Sequence, residues 1–323
     1  MKKIIVFTSL LLFAVSGMVF AGGQQEGGSG EEVTKVIMAD ASWDSILVHN
    51  RIVEFILEKG YGNYEVDFVP GDTIPLFNGL VSGDIDVNME SWHENFIDVY
   101  TEAIDAGTVV NVGDNMPKAP QGWYIPRYMV EGDSERGIDA VAPDLKSIAD
   151  LPKYKELFPD PENPGMGQII IGPPGWSAPI TSEKIMEESG LTKDFNGVMP
   201  GSGTALAATM VGAYQAGKPY VGYYWEPTAV MGRLDMIMLE GSEFPPTSVD
   251  ILVNKETYET MPELIAFLEK YSTTLAQNNK TLGAMEENDL DSEGAAKWFL
   301  QNFEEVWTGW VDADVAERVK AAL

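Results

Sequence analysis

The stretch VIMADASWDSILVHNRIVEFILEKG, residues 36–60, holds the pattern from which the rest of the chain can be read. Val36-Ile37-Met38 is an apolar run of strand length. From Ser45 to Lys59 the apolar residues Ile46, Val53, Ile56 and Leu57 recur at helical spacing, and Gly60 supplies a stop. The same alternation follows at once: Val66-Asp67-Phe68-Val69 reads as a second strand, Ile74 to Val81 as a short helix, and Ile85 to Asn88 as a third strand. Strand, helix and strand joined by short connections predict an α/β fold with a largely parallel sheet.

A second set of such elements lies downstream. Gln168 to Ile171 reads as a strand running into the turn Gly172-Pro173-Pro174-Gly175, followed by helices over 178–188 and 203–215 and strands over 220–224 and 236–239. Between the two sets, Met129 to Ala142 is polar and lacks periodicity. After Phe244-Pro245-Pro246 the pattern resumes with Ile251-Leu252-Val253 and helices to the end. Two organisations fit this order: three consecutive units, or a second domain inserted into a first that the C-terminal part completes.

The N-terminus reads as an export signal over residues 1–21. Lys2 and Lys3 precede an apolar run from Ile4 to Phe20, and Val19-Phe20-Ala21 suits cleavage after Ala21. Thr8, Ser9, Ser16 and Gly17 interrupt a run barely long enough to span a bilayer, which argues against an anchor. Residues 22–32, GGQQEGGSGEE, have the composition of a flexible leader. The chain has no cysteine, so no lipid anchor at a cleavage-site cysteine, disulfide framework or thiolate metal site is expected. The expected location is the periplasm. About 290 residues remain from Val33 onward, enough for two ordinary domains.

The full chain carries a net charge of −29, and loss of the two signal lysines makes it more negative still. Nucleic acid and acidic membrane surfaces are therefore poor partners.

Several enzyme motifs begin and then lack a residue that their chemistry needs. Gly175-Trp176-Ser177-Ala178-Pro179 sits where a hydrolase nucleophile elbow would, but its last position is Pro179. A hydrolase acting through Ser177 would also need a histidine downstream, and the two histidines, His49 and His93, both precede it. His93-Glu94 opens a zinc-protease motif whose second histidine position is Ile97. Asp84, Asp86 and Asn88 match the start of a calcium loop, but Met89 stands at its glycine position. Gly201-Ser202-Gly203 lacks the lysine of a phosphate loop and reads as a helix start. No catalytic residue, metal site or cofactor is expected.

The tryptophans suggest a different chemistry. Of the eight, Trp43, Trp92, Trp123, Trp176 and Trp225 fall at junctions between elements, while Trp298, Trp307 and Trp310 lie in an amphipathic C-terminal stretch and read as core. In open α/β sheets, strand ends line the ligand crevice. Indole faces gathered there with no catalytic group beside them suit a cation that cannot be hydrogen-bonded, such as a quaternary ammonium. Each face contributes roughly 0.5–2 kcal/mol, so three or four give about 2–8 kcal/mol. Micromolar affinity needs about 8 kcal/mol, so a second grip is required. The amides of Ser177 and Ala178, at a helix start, could hold a carboxylate, with Pro179 comfortable in the first turn.

From about Val36 to Trp310 the chain resembles the substrate-binding proteins of glycine betaine/proline betaine and choline ABC transporters. The motifs that carry the resemblance are Ala41-Ser42-Trp43-Asp44 and Leu57-Glu58-Lys59-Gly60-Tyr61; Ser82-Gly83-Asp84-Ile85-Asp86-Val87 leading to Trp92; Gln121-Gly122-Trp123; Pro174-Gly175-Trp176; Tyr223-Tyr224-Trp225-Glu226-Pro227; and Gly309-Trp310-Val311.

The resemblance implies a two-lobed periplasmic binding protein fold of type II, with two crossovers and the ligand between the lobes. On that basis lobe I is expected over 33–128 and 246–323, and lobe II over 129–245. Positions matching Trp92, Trp176 and Trp225 cage the cation in betaine-binding members, with amides after the second tryptophan meeting the carboxylate. Positions matching Trp43, Trp92, Trp123 and Trp225 serve in choline-binding members. Two positions depart from these patterns. Phe96 stands where some betaine binders have a histidine, and Ser45, beside Asp44, stands where choline binders have an acid. The resemblance thus implies a monomeric receptor that is not an enzyme. It would bind glycine betaine or proline betaine, alternatively choline or carnitine, and deliver its ligand to a membrane permease.

Overall fold

The computed structural model describes residues 33–245 and 247–323, so the expected signal and leader lie outside the described residues. Val33–Leu323 forms one compact unit. Among the described residues no helix is long and apolar enough to cross a membrane.

Strand β1 (Thr34–Ala41) buries Val36, Met38, Ala39 and Ala41. Both of its faces are covered, which is why it reads as a continuous apolar run. Trp43 caps helix α1 (Asp44–Phe55), which buries Ile46, Val48, Ile52 and Val53. The helix continues as a π-helical segment through Tyr61 and stops at Gly62, whose φ of 84° is left-handed. The expected stop at Gly60 is therefore two residues early. Gly60 is buried inside the segment, which packs against the C-terminal helix.

Strand β2 (Tyr64–Gly71), helix α2 (Thr73–Ser82) and strand β3 (Val87–Ser91) complete the first unit. The third strand begins later than expected. Asp86 is held outside it, its carboxylate accepting from Ile37 N and Thr257 Oγ1, each at 2.7 Å. Helix α3 (Ile97–Asp105) leads to strands β4 (Val109–Ala119) and β5 (Gln121–Pro126), and a short helix α4 (Tyr128–Glu131) follows.

The second unit comprises β6 (Gly167–Ile170), α5 (Ala178–Glu188), β7 (Phe195–Val198), α6 (Gly203–Gln215), β8 (Gly222–Trp225) and β9 (Met236–Met238). Strand β10 (Thr247–Asn254) is followed by helices α7 (Lys255–Thr260), α8 (Pro262–Leu268), α9 (Leu275–Glu287), α10 (Ser292–Asn302), α11 (Glu304–Trp307) and α12 (Ala313–Ala322). Of these, α9 and α10 pack on α1, and α12 packs on the π-helical segment after it.

The strands form two five-stranded sheets of matching plan, β2-β1-β3-β10-β4 and β7-β6-β8-β5-β9. In each, the first three strands are parallel and the fourth runs antiparallel to both neighbours. The antiparallel strand is in each case the one that has just arrived from the other sheet. The chain passes to the second sheet between Ala119 and Gln121 and returns between Met238 and Thr247. The first passage thus falls before β5, ahead of the boundary expected at 129. The aperiodic stretch that suggested 129 holds the end of α4 and the loop after it, within the second half, whereas the passage itself is only Pro120.

Candidate functional site

The matching plan gives both sheets equivalent strand ends, and tryptophans occupy them. Trp43 follows β1 and Trp92 follows β3; Trp176 lies in the turn after β6 and Trp225 ends β8. β1 and β6 hold the same place in their sheets, as do β3 and β8. Each half therefore contributes two indoles from corresponding positions, as the crevice rule for open α/β sheets would have it.

These four side chains line one inner cavity together with Thr73, Asn95, Ser177, Ala178 and Tyr223. The Trp43 and Trp176 rings meet edge to face at 5.4 Å, and Trp176 and Trp225 do so at 5.2 Å. Trp225 is backed by Tyr223, stacked at 5.9 Å, and by Tyr224 at 4.8 Å. An outer chamber of about 680 Å³ shares Trp43, Trp176 and Trp225 and adds Ser42, Asp44, Ser45, Thr204 and Thr228. Burial raises the pKa of the Asp44 carboxyl in that wall.

Hydrogen bonds fix the rings. Trp176 Nε1 donates to Ser42 Oγ at 3.3 Å, joining the second half to the first. Gly203 lies so close that a β-carbon there would meet Trp176 Cζ2 at 3.0 Å. Gly175 has φ of 88°, and a β-carbon on it would meet Asp72 Oδ2 at 2.8 Å. A glycine is thus required both by conformation and by the close approach of the two halves. Ile74 N donates to Gly175 O at 3.4 Å, and an Arg233–Glu286 ion pair joins the same two halves. Trp43 Nε1 donates to Glu90 Oε2 at 2.6 Å, and Ser45 Oγ donates to the same oxygen at 3.1 Å.

At the polar end, α5 begins at Ala178 with Pro179 in its first turn. The first N–H groups of a helix have no intrahelical acceptor and carry the positive end of its dipole. Ser177 and Ala178 both line the inner cavity, so these amides share a chamber with the four indoles.

Trp123 is not among the cavity-lining residues. It is fully buried within β5, and its indole nitrogen donates to Ser182 Oγ of α5 at 3.1 Å. Its neighbours Gln121 and Trp225 face each other at the strand end, while Trp123 pairs with Tyr223 farther along the ladder. Phe96, in the position of the family's histidine, packs edge to face on Phe77 at 5.1 Å, in the core.

The hydrolase and metal motifs are occupied structurally. His49 is buried with Nδ1 2.6 Å from the Tyr271 hydroxyl, and His93 stacks on Tyr100 at 4.2 Å between Glu94 and Asp250. Asp84 accepts from Ser82 Oγ at 2.7 Å, and Asn88 Oδ1 accepts from Glu90 N at 3.0 Å.

Sequence reasoning passed over Thr73, Asn95, Tyr223 and Glu90. The first two sit at the starts of helical segments with no distinguishing motif, and Tyr223 reads as part of an apolar strand. Strand β3, VNMES, is buried at every position despite three polar residues.

Two open sheets of this plan, linked twice and meeting at a tryptophan-lined cavity, define a two-lobed periplasmic binding protein of type II. Residues 34–302 match the model of the substrate-binding domain of ABC-type glycine betaine transport systems, and the chain belongs to that family. It is 23% identical to the trimethylamine N-oxide-binding protein of Pelagibacter ubique, over 95% of this chain and 99% of the relative. It is 21% identical to the glycine betaine/proline betaine-binding periplasmic protein of Salmonella typhimurium, over 98% and 99% of the two chains. Among solved structures, an ABC-transporter choline-binding protein in complex with choline superposes with a TM-score of 0.74 at 20% identity, covering 89% of this chain and 97% of that one.

Proposed function

We propose that this chain is an exported, monomeric receptor that captures glycine betaine or a closely related betaine. Trp43, Trp92, Trp176 and Trp225 cage the trimethylammonium group, and the amides of Ser177 and Ala178 receive the carboxylate. The observation that carries this reading is the convergence of four indoles, two from each half, on one cavity whose wall also holds a helix N-terminus. Indole faces attract a cation that offers no hydrogen-bond donor, and unpaired amides attract an anion, so the pair selects a zwitterion of that polarity. The halves meet through the cage residues themselves, so ligand capture and closure are one event. The closed form then delivers its ligand to a membrane permease in the periplasm.

Calorimetric titration with glycine betaine, proline betaine, carnitine, choline and trimethylamine N-oxide tests the reading. Glycine betaine or proline betaine is expected to bind in the micromolar range or tighter. Absence of heat from all five compounds would refute a quaternary-amine receptor.

Choline is the second reading. It is favoured by the Asp44 carboxyl in the wall of the outer chamber, an acid beside Ser45, the position where choline-binding members carry theirs. Choline binding tightest of the five would favour it. A hydrolase acting through Ser177 gains no support, because both imidazoles are engaged with other side chains.

A further inference from the structure

Behind the cage, a line of polar side chains runs from the tryptophans into the C-terminal core. Glu90 lies on β3 with its side chain out of reach of solvent, and it lines neither chamber. Trp43 Nε1 and Ser45 Oγ both donate to one oxygen of its carboxyl group. One buried acid therefore holds the edge of a cage indole and the hydroxyl two residues after it. Its second oxygen, Oε1, has no hydrogen bond and faces His49 Nε2, likewise without one, at 3.5 Å. The far side of the imidazole meets the Tyr271 hydroxyl, and the Tyr271 ring rests on Trp310 at 4.2 Å.

A buried acid with an open oxygen is rare enough to call for an explanation. Burial favours its neutral form, while hydrogen bonds from the Trp43 indole and the Ser45 hydroxyl favour the anion. The balance raises the Glu90 carboxyl to about 7, and burial lowers His49 to about 3, so the imidazole is neutral. The pair has two consistent arrangements. With Glu90 ionised, the Tyr271 hydroxyl donates to Nδ1 and Nε2–H points at Oε1. With Glu90 protonated, its O–H faces a bare Nε2 and Nδ1–H donates to Tyr271. Passing between them moves one proton to or from solvent and switches the tautomer of His49.

We propose that Glu90 is a positioning residue of the cage: its ionised carboxyl holds the Trp43 indole in place and puts a negative charge behind it, so that capture of a cation favours loss of the proton from the Glu90–His49 pair. The inference rests on the quaternary-amine reading and adds a pH dependence to it. The titratable groups that face Glu90 are His49 from α1 and Tyr271 from the turn after α8. Neighbouring ionisable groups are engaged elsewhere: Asp40 with Arg51 and Asn50, and Asp250 with His93 and Asn111. Asp44 lies in the wall of the outer chamber.

The test is calorimetry with glycine betaine and with choline at pH 6, 7 and 8, in phosphate and in Tris, on the wild-type chain and on Glu90→Gln. Wild-type affinity is expected to rise about tenfold from pH 6 to pH 8, with a heat that differs between buffers as release of one proton requires. Glu90→Gln, which keeps an acceptor for Trp43 but no charge, is expected to bind more weakly, with a flat pH profile and no buffer-dependent heat. A flat wild-type profile, or a variant that keeps the wild-type slope, overturns the proposal.

A second readout needs no ligand. The near-ultraviolet circular dichroism of the tryptophans is expected to titrate near neutrality in the wild type and not in Glu90→Gln; identical curves overturn the positioning role. Should Glu90→Gln fail to fold, Trp43→Phe keeps a ring and removes the indole donor, and the wild-type midpoint is expected to move to higher pH. An unmoved midpoint counts against the proposal. If no quaternary amine binds, the ligand reading and the proton coupling fall together, and the dichroism alone decides whether Glu90 holds the Trp43 indole.

Discussion

Two groups of tryptophans in this molecule are almost equally hidden from water and stand in different surroundings. Trp43, Trp92, Trp176 and Trp225 are 6–8% exposed, while Trp123, Trp307 and Trp310 are 0–4% exposed. Burial alone does not separate them; their partners and their places in the fold do. Trp307 donates its N–H to the Leu300 carbonyl at 2.7 Å, and Trp310 stacks on Phe299 at 6.0 Å, so both are packed within the helices of one half. Trp43 and Trp176 sit past strand ends, donate to Glu90 and Ser42, and turn their rings toward each other across the two halves. A core indole contributes by excluding water on every side. A cage indole is held by its edge, which leaves a face for the cavity.

Paired substitutions would break this comparison most directly. Trp307→Ala is expected to lower stability by about 3–5 kcal/mol, the usual cost of removing a buried aromatic, as read from urea denaturation. Trp225→Ala is expected to lose much less stability and instead weaken glycine betaine binding by up to about 30-fold, the loss of one cation–π face. Equal destabilisation by the two changes would erase the distinction between core and cage.

A pH series on stability would sharpen it. Burial raises the folded-state carboxyl of Glu90 to about 7 from 4.5, so the folded chain holds this proton more tightly than the unfolded one. That contribution is fully present below pH 4.5 and is lost as pH rises through 7. Relative to Glu90→Gln, the wild type is therefore expected to lose on the order of 3 kcal/mol between pH 4.5 and pH 8. His49 acts oppositely. Its lowered value of about 3 gives stability present above 6.5 and lost as pH falls through 3, equally in both proteins. A constant difference in urea midpoint between the two proteins across the series would show that Glu90 carries no such cost.

How much of this was legible in the sequence differs between the two groups. The helices over 178–188 and 203–215 were read at their observed ends, because Pro179 and Ser202 mark their starts. The strand-end positions of Trp43, Trp92, Trp176 and Trp225 followed from element order, since a junction residue stays at a junction whatever the packing. Strands β4 and β5 were missed. They pair antiparallel with β10 and β8, partners distant in sequence, and no local pattern announces such a ladder. Glu90 was missed for a related reason. An acid in a short polar-looking strand reads as a solvated edge until the partners that bury it, His49 and Tyr271, are brought in from elsewhere in the chain.

Trp123 is where the two groups meet, and it gives the smallest but sharpest test. By sequence it belongs with the cage, after Gln121-Gly122 and at a position that the resemblance to choline-binding members assigns to the ligand. In the fold it lies inside β5 with its N–H on Ser182, on the same sheet face as Gln121 but two residues farther from the strand end, beneath α5. Trp123→Phe keeps an aromatic ring in the core and removes the donor, leaving Ser182 with one partner fewer. Loss of such a buried hydrogen bond costs about 1–2 kcal/mol, to be read as a lower urea midpoint. Affinity for glycine betaine is expected to stay within about twofold of wild type, because effects at sites that share no partner add nearly independently. A tenfold loss of affinity at unchanged stability would return Trp123 to the cage, and would mean that the ligand-bound form draws β5 toward the cavity.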